Sequence, residues 1–539
     1  MRMFKSGFTA CLATLLLGFW PVRTFGGVSQ LTNDLPSIIQ PTGNTLGYVL
    51  ERFSHAQGHL APGHADTMLE HETIVRDSVS GTITRIASGK NQRVDETLGL
   101  LATAYGTSDG RDWQMNADGE VVVDQGIHKR DAIDQKALHA AVASHGASQD
   151  VKLLGRISQP IDAYVIEIDP PNGVLEYLYV DASTWYLDAS VLRYPDHSVR
   201  YTFGDYRTVD GIATPWHTHE WINDQHKDES LVSPEIDMRV TDLARGISID
   251  PARLAIPRST SIGTVSGPPV RLPARIIDDR VILKLQVGGR SVNLQLDSGA
   301  AGIFLDDGIL RALGYTITLQ SSVVPSMSLG SLTMQNVHVH AVPFANMADS
   351  NTPVAGLIGF DFIDSVVVHV DYADGMVWAI DPQTFTPPAG AISLPIALDD
   401  SIPAFTASVG GVPNLRFLLD TGADNSMLFS TFAKAHPEAL RESAVGAELQ
   451  ASYPFLESFM AVGGPVQFQS VEVGPLDVGT LSFADWPFSV TQDPRVFDLL
   501  DYDGLLGQDF LRYFDLYLDY QHDRVLLVPN ARYTERFAT

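Results

Sequence analysis

Apolar and polar residues alternate in short runs along most of this chain, the period of half-buried β-strands. "DSVSGTITRIASGKNQRVDETLGLLATAYGTSDGRDWQMNADGEVVV" alternates with polar turns, and "EYLYVDASTWYLDASVLRYPDHSVRYTFGDYRTVDGIATPWHTHEW" continues as a longer meander. Helical spacing is confined to "TLGYVLERFSHAQG" and "DQKALHAAVASHG", so residues 27–250 read as an α+β domain, a sheet wrapped partly around one or two helices. The aromatic residues of this stretch, Trp113, Trp185, Tyr206 and Trp216, read as core or turn residues. "IPRSTSIGTVSGPP" mixes Pro, Ser and Gly, and 251–267 is expected to be a linker. Beyond it, runs rich in Val, Leu and Phe are broken by Gly, Pro and Asp at turn spacing. Two compact β lobes, 268–386 and 391–531, are predicted there. One short helix is expected near "STFAKAHPEAL" and another where each "GxDF" begins.

The two lobes are copies. "RLPARIIDDRVILKLQVGG" precedes "LQLDSGAAGIFL", and "SLPIALDDSIPAFTASVGG" precedes "LRFLLDTGADNSMLF". Asp297 and Asp420 stand 123 positions apart. Downstream, "GLIGFDFIDSVVVHVDYADGMVWAI" aligns with "GLLGQDFLRYFDLYLDYQHDRVLLV" at an offset of 148, so the second copy carries about 25 extra residues between these landmarks. "ADG" and "QHD" read as hairpin turns closing each lobe.

An aspartate at the end of an apolar strand is expensive alone and useful in a pair. Two carboxylates about 3 Å apart share one proton over a range of pH. The ionised member can take a proton from a water between them, while the protonated member donates to a carbonyl. A hydroxyl and a glycine follow each acid: Ser298 and Gly299, Thr421 and Gly422. The hydroxyl can brace the loop, and glycine permits close backbone approach.

"LLDTGADNS" resembles the catalytic signature of retropepsin-type aspartic proteases, and "LQLDSGAAG" is similar to it in looser form. "GLIG" and "GLLG" resemble that family's loop behind the catalytic strand. The resemblance spans about 265 residues, roughly half the chain. It implies a mainly β fold, two tandem retropepsin-like lobes forming a single-chain, pepsin-like pseudo-dimer. Asp297 and Asp420 would be the catalytic dyad of an aspartic endopeptidase. Ser298 and Thr421 would brace it, and Gly299 and Gly422 would admit the close approach. The first lobe departs from the pattern: Ile303 stands where the second has Ser426, and Ala301 where it has Asp424. The extra residues surround "LQASYPFLESFMAVGGPVQFQSVEV", whose alternation about Gly463 and Gly464 reads as a hairpin and a candidate flap, present in the second lobe only.

The first half is similar, in "GTSDGRDWQMNADG", "YVDASTWYLDASVLRY" and "FGDYRTVDGIATPW", to the half-barrel of the LolA/LolB-like lipoprotein-carrier superfamily. That resemblance implies an apolar ligand or a partner protein at this domain.

Composition narrows the remaining choices. A length of 539 residues calls for two or three cores. Net charge of −28, without an acidic tail, argues against nucleic acid or anionic membrane as a partner. Residues 1–26 carry Arg2 and Lys5, then an apolar run containing Cys11, the sole cysteine, and read as a secretory signal. A periplasmic or secreted monomer without disulfides is expected. Two pairs, His217 with His219 and His338 with His340, have strand spacing for metal ligation. Neither has a third ligand at supporting spacing, so no metal and no cofactor is expected. The competing function is a non-catalytic periplasmic binding protein with degenerate protease-like lobes.

Overall fold

The structure is a computed structural model that describes residues 39–58, 66–123, 127–171, 173–193, 197–224, 235–344, 353–399, 401–442, 458–461, 464–491 and 502–537. The expected signal segment with Cys11, and Gly463, lie outside the described residues. No described helix is long and apolar enough to cross a membrane. The chain forms two units: one runs to Asn116 and resumes from Val123 to Arg258, and the other joins Ala117–Val122 to Ser259–Thr539.

The first unit is an antiparallel sheet built from two meanders. Thr67–Arg76, Val79–Ser88, Asn91–Leu98, Leu101–Ser108 and Arg111–Met115 pair in sequence order. Val151–Ile157, Ala163–Ile168, Leu175–Asp181, Leu187–Arg193, His197–Val209, Ile212–Asp224 and Glu235–Arg245 do the same, and this last strand joins Thr67–Arg76 to unite the meanders. Asp210 and Gly211, at φ 53° and 83°, supply the left-handed residues that a two-residue hairpin between Val209 and Ile212 requires. Helix Leu46–Gln57 is capped by Thr45, whose hydroxyl accepts from the Tyr48 amide. Its buried Val49, Leu50 and Phe53 pack with Leu138 and Ala141 of helix Ile127–Ala143 over Val151, Ile166 and Leu178.

Elsewhere the same sheet buries charge. Arg85 stands directly opposite Glu70, bonds Glu72 and lies 3.5 Å from Glu70, and all three are less than a tenth exposed. Burial, then Glu72, push the Glu70 carboxyl up to about 7. Burial pushes Glu220 up to about 7.

The second unit holds two lobes of matching topology. In the first, the strand order is Ala274–Ile277, Arg280–Val287, Arg290–Leu296, Gly356–Ile358, Ile303–Asp306, Leu332–Val342, Ser321–Leu329, and Gln286↔Ser328 closes the sheet on itself. In the second, Ile402–Val409, Val412–Leu419, Gly504–Leu506, Met427–Leu428 and Trp486–Thr491 repeat the path. The C-terminal hairpins of both lobes share a six-stranded sheet, Val367–Asp371 lying antiparallel to Phe514–Asp519. His369 pairs with Tyr517, its counterpart 148 positions on, and the rings stack at 4.0 Å, so a local two-fold axis passes between them. One apolar core runs through both lobes, from Leu283 and Leu294 to Phe417, Leu518 and Leu527.

Short helices Phe360–Ser365, Gln508–Leu511 and Ser430–Ala435 form where the pattern predicted helix. Two boundaries differ from the sequence reading. Ile262 and Val265, inside the expected linker, are buried in the second unit's core. Residues 117–122, inside the expected first domain, belong by their contacts to the second unit. The extra residues of the second lobe fall before the turn glycine Gly479, which matches Gly330; both have positive φ (59° and 66°). They include a hairpin, Ser458–Ala461 paired with Gly464–Val473 and closing at Ala461↔Gly464. In the first lobe, helix Asp307–Ala312 and strand Ser321–Leu329 are separated by only a short turn.

Replacing Arg85 by Ala would leave Glu72 buried without its bonded cation and Glu70 with only the more distant charge of Arg245. A loss of about 3–5 kcal/mol in unfolding free energy is expected by urea denaturation.

Candidate active site

Each lobe delivers its aspartate in the same way. Arg290–Leu296 runs parallel to Gly356–Ile358, and the Asp297 amide donates to the Ile358 carbonyl at 3.1 Å. Val412–Leu419 runs parallel to Gly504–Leu506, and the Asp420 amide donates to the Leu506 carbonyl at 3.0 Å. Each Gly-φ-φ strand is also paired antiparallel with the strand that follows the aspartate loop. The loop is thus clamped on both sides.

The two loops are joined by four buried hydrogen bonds. Ser298 N–H donates to Thr421 Oγ1 and Thr421 N–H to Ser298 Oγ, both at 2.9 Å. Ser298 Oγ donates to the Leu419 carbonyl at 2.7 Å, and Thr421 Oγ1 to the Leu296 carbonyl at 3.1 Å. Each hydroxyl accepts from one opposite backbone group and donates to another, which only a residue with both capacities can do. Ser298 and Thr421 are at most 1% exposed. Gln295 Nε2 adds a bond to the Gly422 carbonyl and Gln508 Nε2 one to the Thr421 carbonyl, at 3.0 and 2.6 Å.

This brace brings the half-buried carboxylates of Asp297 and Asp420 together, close enough for each to act on the other's charge. The glycines make room. A Cβ on Gly299 would lie 2.9 Å from the Asp420 carboxylate, and one on Gly422 2.4 Å from that of Asp297. Gly299 N–H donates to Asp297 Oδ1 at 2.9 Å, and Gly422 N–H to Asp420 Oδ1 at 2.7 Å. Burial, then the neighbouring Asp420, push Asp297 well above the usual carboxylate range. Burial also raises Asp420, opposed by the Gly422 amide, by the neighbouring Asp297 and by the Ala423 amide. Two carboxyl groups placed in this way do not both ionise cheaply. The Tyr520 hydroxyl, beside Ser298, is raised strongly by burial and by both carboxylates.

Behind each loop stands an acid that the sequence reading did not single out. Asp509 Oδ1 accepts from the Ser426 amide and hydroxyl at 2.8 and 2.7 Å, and the Ser426 hydroxyl also accepts from Gly507 N–H. Burial pushes Asp509 up to about 6. Its counterpart, Asp361, accepts from the Ile303 amide at 3.1 Å, and Ile303 has no hydroxyl to offer. Their identical place in "GxDF" was the available signal. Asp424 finds its partner across the lobes, its two oxygens 2.7 and 2.5 Å from Arg280, whereas Ala301 offers no such acid.

Asp118 lies close enough to Asp361 for its charge to matter, and it accepts from the His338 amide at 3.0 Å. Thr260 anchors the segment by bonding the Gly119 and Asp118 carbonyls. Burial, then the Asp361 charge, push Asp118 up to about 8. His340, from the second His-x-His pair, stacks on Phe304 at 4.6 Å beside Gly302, and burial holds it down to about 4. The structure therefore places His338 and His340 in the packing behind the Asp297 loop.

The aspartyl protease family model matches residues 405–510, a span that contains Asp420, Thr421 and Gly422 and the loop Gly504–Gly507. No curated protein matches the chain. Among solved structures, an aspartic proteinase from Irpex lacteus is similar at 11% identity and a TM-score of 0.32, over 50% of this chain and 99% of that one. A LolA superfamily protein from Nitrosomonas europaea is similar at 14% identity and a TM-score of 0.27, over 40% of this chain and 98% of that one. A DUF1329 family protein from Desulfovibrio piger is similar at 13% identity and a TM-score of 0.27, over 39% and 95%.

Thr421→Val keeps the shape but strips two bonds from the brace and leaves the Ser298 amide and Leu296 carbonyl unpaired. The expected loss is about 2–5 kcal/mol in chemical denaturation. Asp118 has a raised folded pKa, so its favourable contribution is full below its unfolded value of about 4 and is lost as pH rises through about 8. Asp118→Asn, beside Asp361 and the His338 amide, should gain stability relative to the parent as pH goes from 5 to 8, read as a widening difference in Tm.

Proposed function

We propose that the second unit is an aspartic endopeptidase whose site is complete within one chain. The observation that carries this reading is the pairing of the Asp297 and Asp420 carboxyl groups by the four-bond brace, each delivered from the same position of two repeats. A water held by both carboxylates would lose a proton to the ionised member as it attacks the peptide carbonyl. The protonated member would donate to the carbonyl oxygen. No covalent intermediate is needed: on collapse the pair gives its proton to the leaving amine and takes one from a hydroxyl of the tetrahedral diol, which restores its starting state.

The supporting residues have defined parts. Ser298 and Thr421 keep the carboxylates in register, and Gly299 and Gly422 leave space for them to meet. The hairpin ending at Gly464 would act as a single flap over a bound peptide. The leader at residues 1–26 would direct the protein to the periplasm or beyond, and the first unit would bind or position an apolar ligand or a protein partner.

Cleavage of a diverse peptide mixture across about pH 3 to 8 tests the proposal. The parent should show a bell-shaped pH profile, since one carboxyl must be charged and the other neutral. Asp297→Asn and Asp420→Asn should each lose about 1,000-fold or more while remaining folded by circular dichroism. Undiminished cleavage by either variant would overturn it.

A further inference from the structure

We propose that the first unit carries a structural metal site for a zinc-class divalent cation, built from His217, His219 and Asp237. Strand Ile212–Asp224 pairs antiparallel with Glu235–Arg245, matching His217 with Arg239, His219 with Asp237 and Trp221 with Glu235. Side chains two apart on a strand share a face, so these residues present their heads on one side of the sheet. One ligand atom from each of His217, His219 and Asp237 lies within 4.8 Å of the other two. His217 Nε2 is 2.6 Å from Asp237 Oδ2. A fourth donor stands close, Glu235 Oε2 at 3.7 Å from His219 Nε2.

The third ligand comes from a neighbouring strand 18 to 20 positions on, which is why the chain pattern around the His-x-His pair does not show it. Two imidazole nitrogens with carboxylate oxygens suit zinc, and nickel or copper by the same chemistry, in preference to magnesium or calcium, which take oxygen donors. Zinc holds its ligands at about 2.0–2.2 Å, so the donor atoms need only side-chain adjustments to converge on one ion.

The surroundings orient the ligands. Arg239 holds Asp237 with a fork, Nε to Oδ1 at 2.8 Å and Nη2 to Oδ2 at 3.2 Å, and Oδ2 also meets His217. The His219 ring stacks on Trp221 with centroids 4.2 Å apart. Hydrogen-bonded carboxylates and held imidazoles are what a metal site requires around it. Arg239 also places a positive charge beside the ion, which weakens binding, and Glu235 offsets it. The three ligands are half-buried, their side chains 25–31% exposed. An ion here would be a clip fastening the two strands together.

The experiment uses the untagged full chain, stripped with chelator and titrated with zinc chloride by calorimetry. One zinc per chain at micromolar affinity or tighter is expected, with a rise in Tm that magnesium does not reproduce. His219→Ala and the isosteric Asp237→Asn should each weaken binding at least about 30-fold and remove the zinc-dependent rise. Circular dichroism without metal confirms that both variants are folded. Zinc affinity unchanged by both substitutions, or no binding tighter than about 100 µM, would overturn the proposal and leave His217 and Asp237 as a hydrogen-bonded pair only.

Discussion

The second unit is organised around keeping two carboxyl groups side by side. Left to themselves, two acids in partial burial separate or draw in water. Here the four bonds among Ser298, Thr421, Leu296 and Leu419 fix the backbones that carry them, and the bonds themselves are buried. Because both hydroxyls act as donor and acceptor at once, neither loop can shift without breaking a pair of contacts. The parallel strands behind them and the shared sheet at the far end hold the same two-fold relation. Geometry that would be costly at one point is maintained by agreement among several.

That relation is approximate, and the departures are informative. The second lobe satisfies its rear carboxylate with an amide and a hydroxyl, both from Ser426. The first lobe has Ile303 at that place, fully buried in the apolar core. Asp361 consequently sits in a different setting, with Asp118 close by and two histidines from the adjoining strand. The Arg280–Asp424 pair likewise crosses the lobes in one direction only. Duplicated halves have thus kept their front faces alike and diverged behind them.

How much of this was legible beforehand depended on distance along the chain. The repeat, the two aspartates with their hydroxyls and glycines, and the short helices all follow from local pattern or fixed spacing. So did the hairpin before Gly464, as surplus length in one copy. Asp361 and Asp509 were visible as letters but stood among apolar residues at a helix start, where nothing local marks an acid as bonded. Asp118 reaches His338 across 220 positions, and Asp237 joins His217 and His219 only through strand pairing. Contacts of that kind are set by register, which alternation alone does not specify.

Residues Ala117–Val122 carry a consequence for how the molecule is put together. They lie far upstream of both aspartates, yet they are held by Ser259, Thr260 and His338 and count among the second unit's own residues. A fragment beginning at Ser259 would contain every described strand of both lobes and still lack part of the first lobe's rear wall. The half of the chain with the two repeats is therefore not a transplantable module. Its inheritance is tied to the half that precedes it.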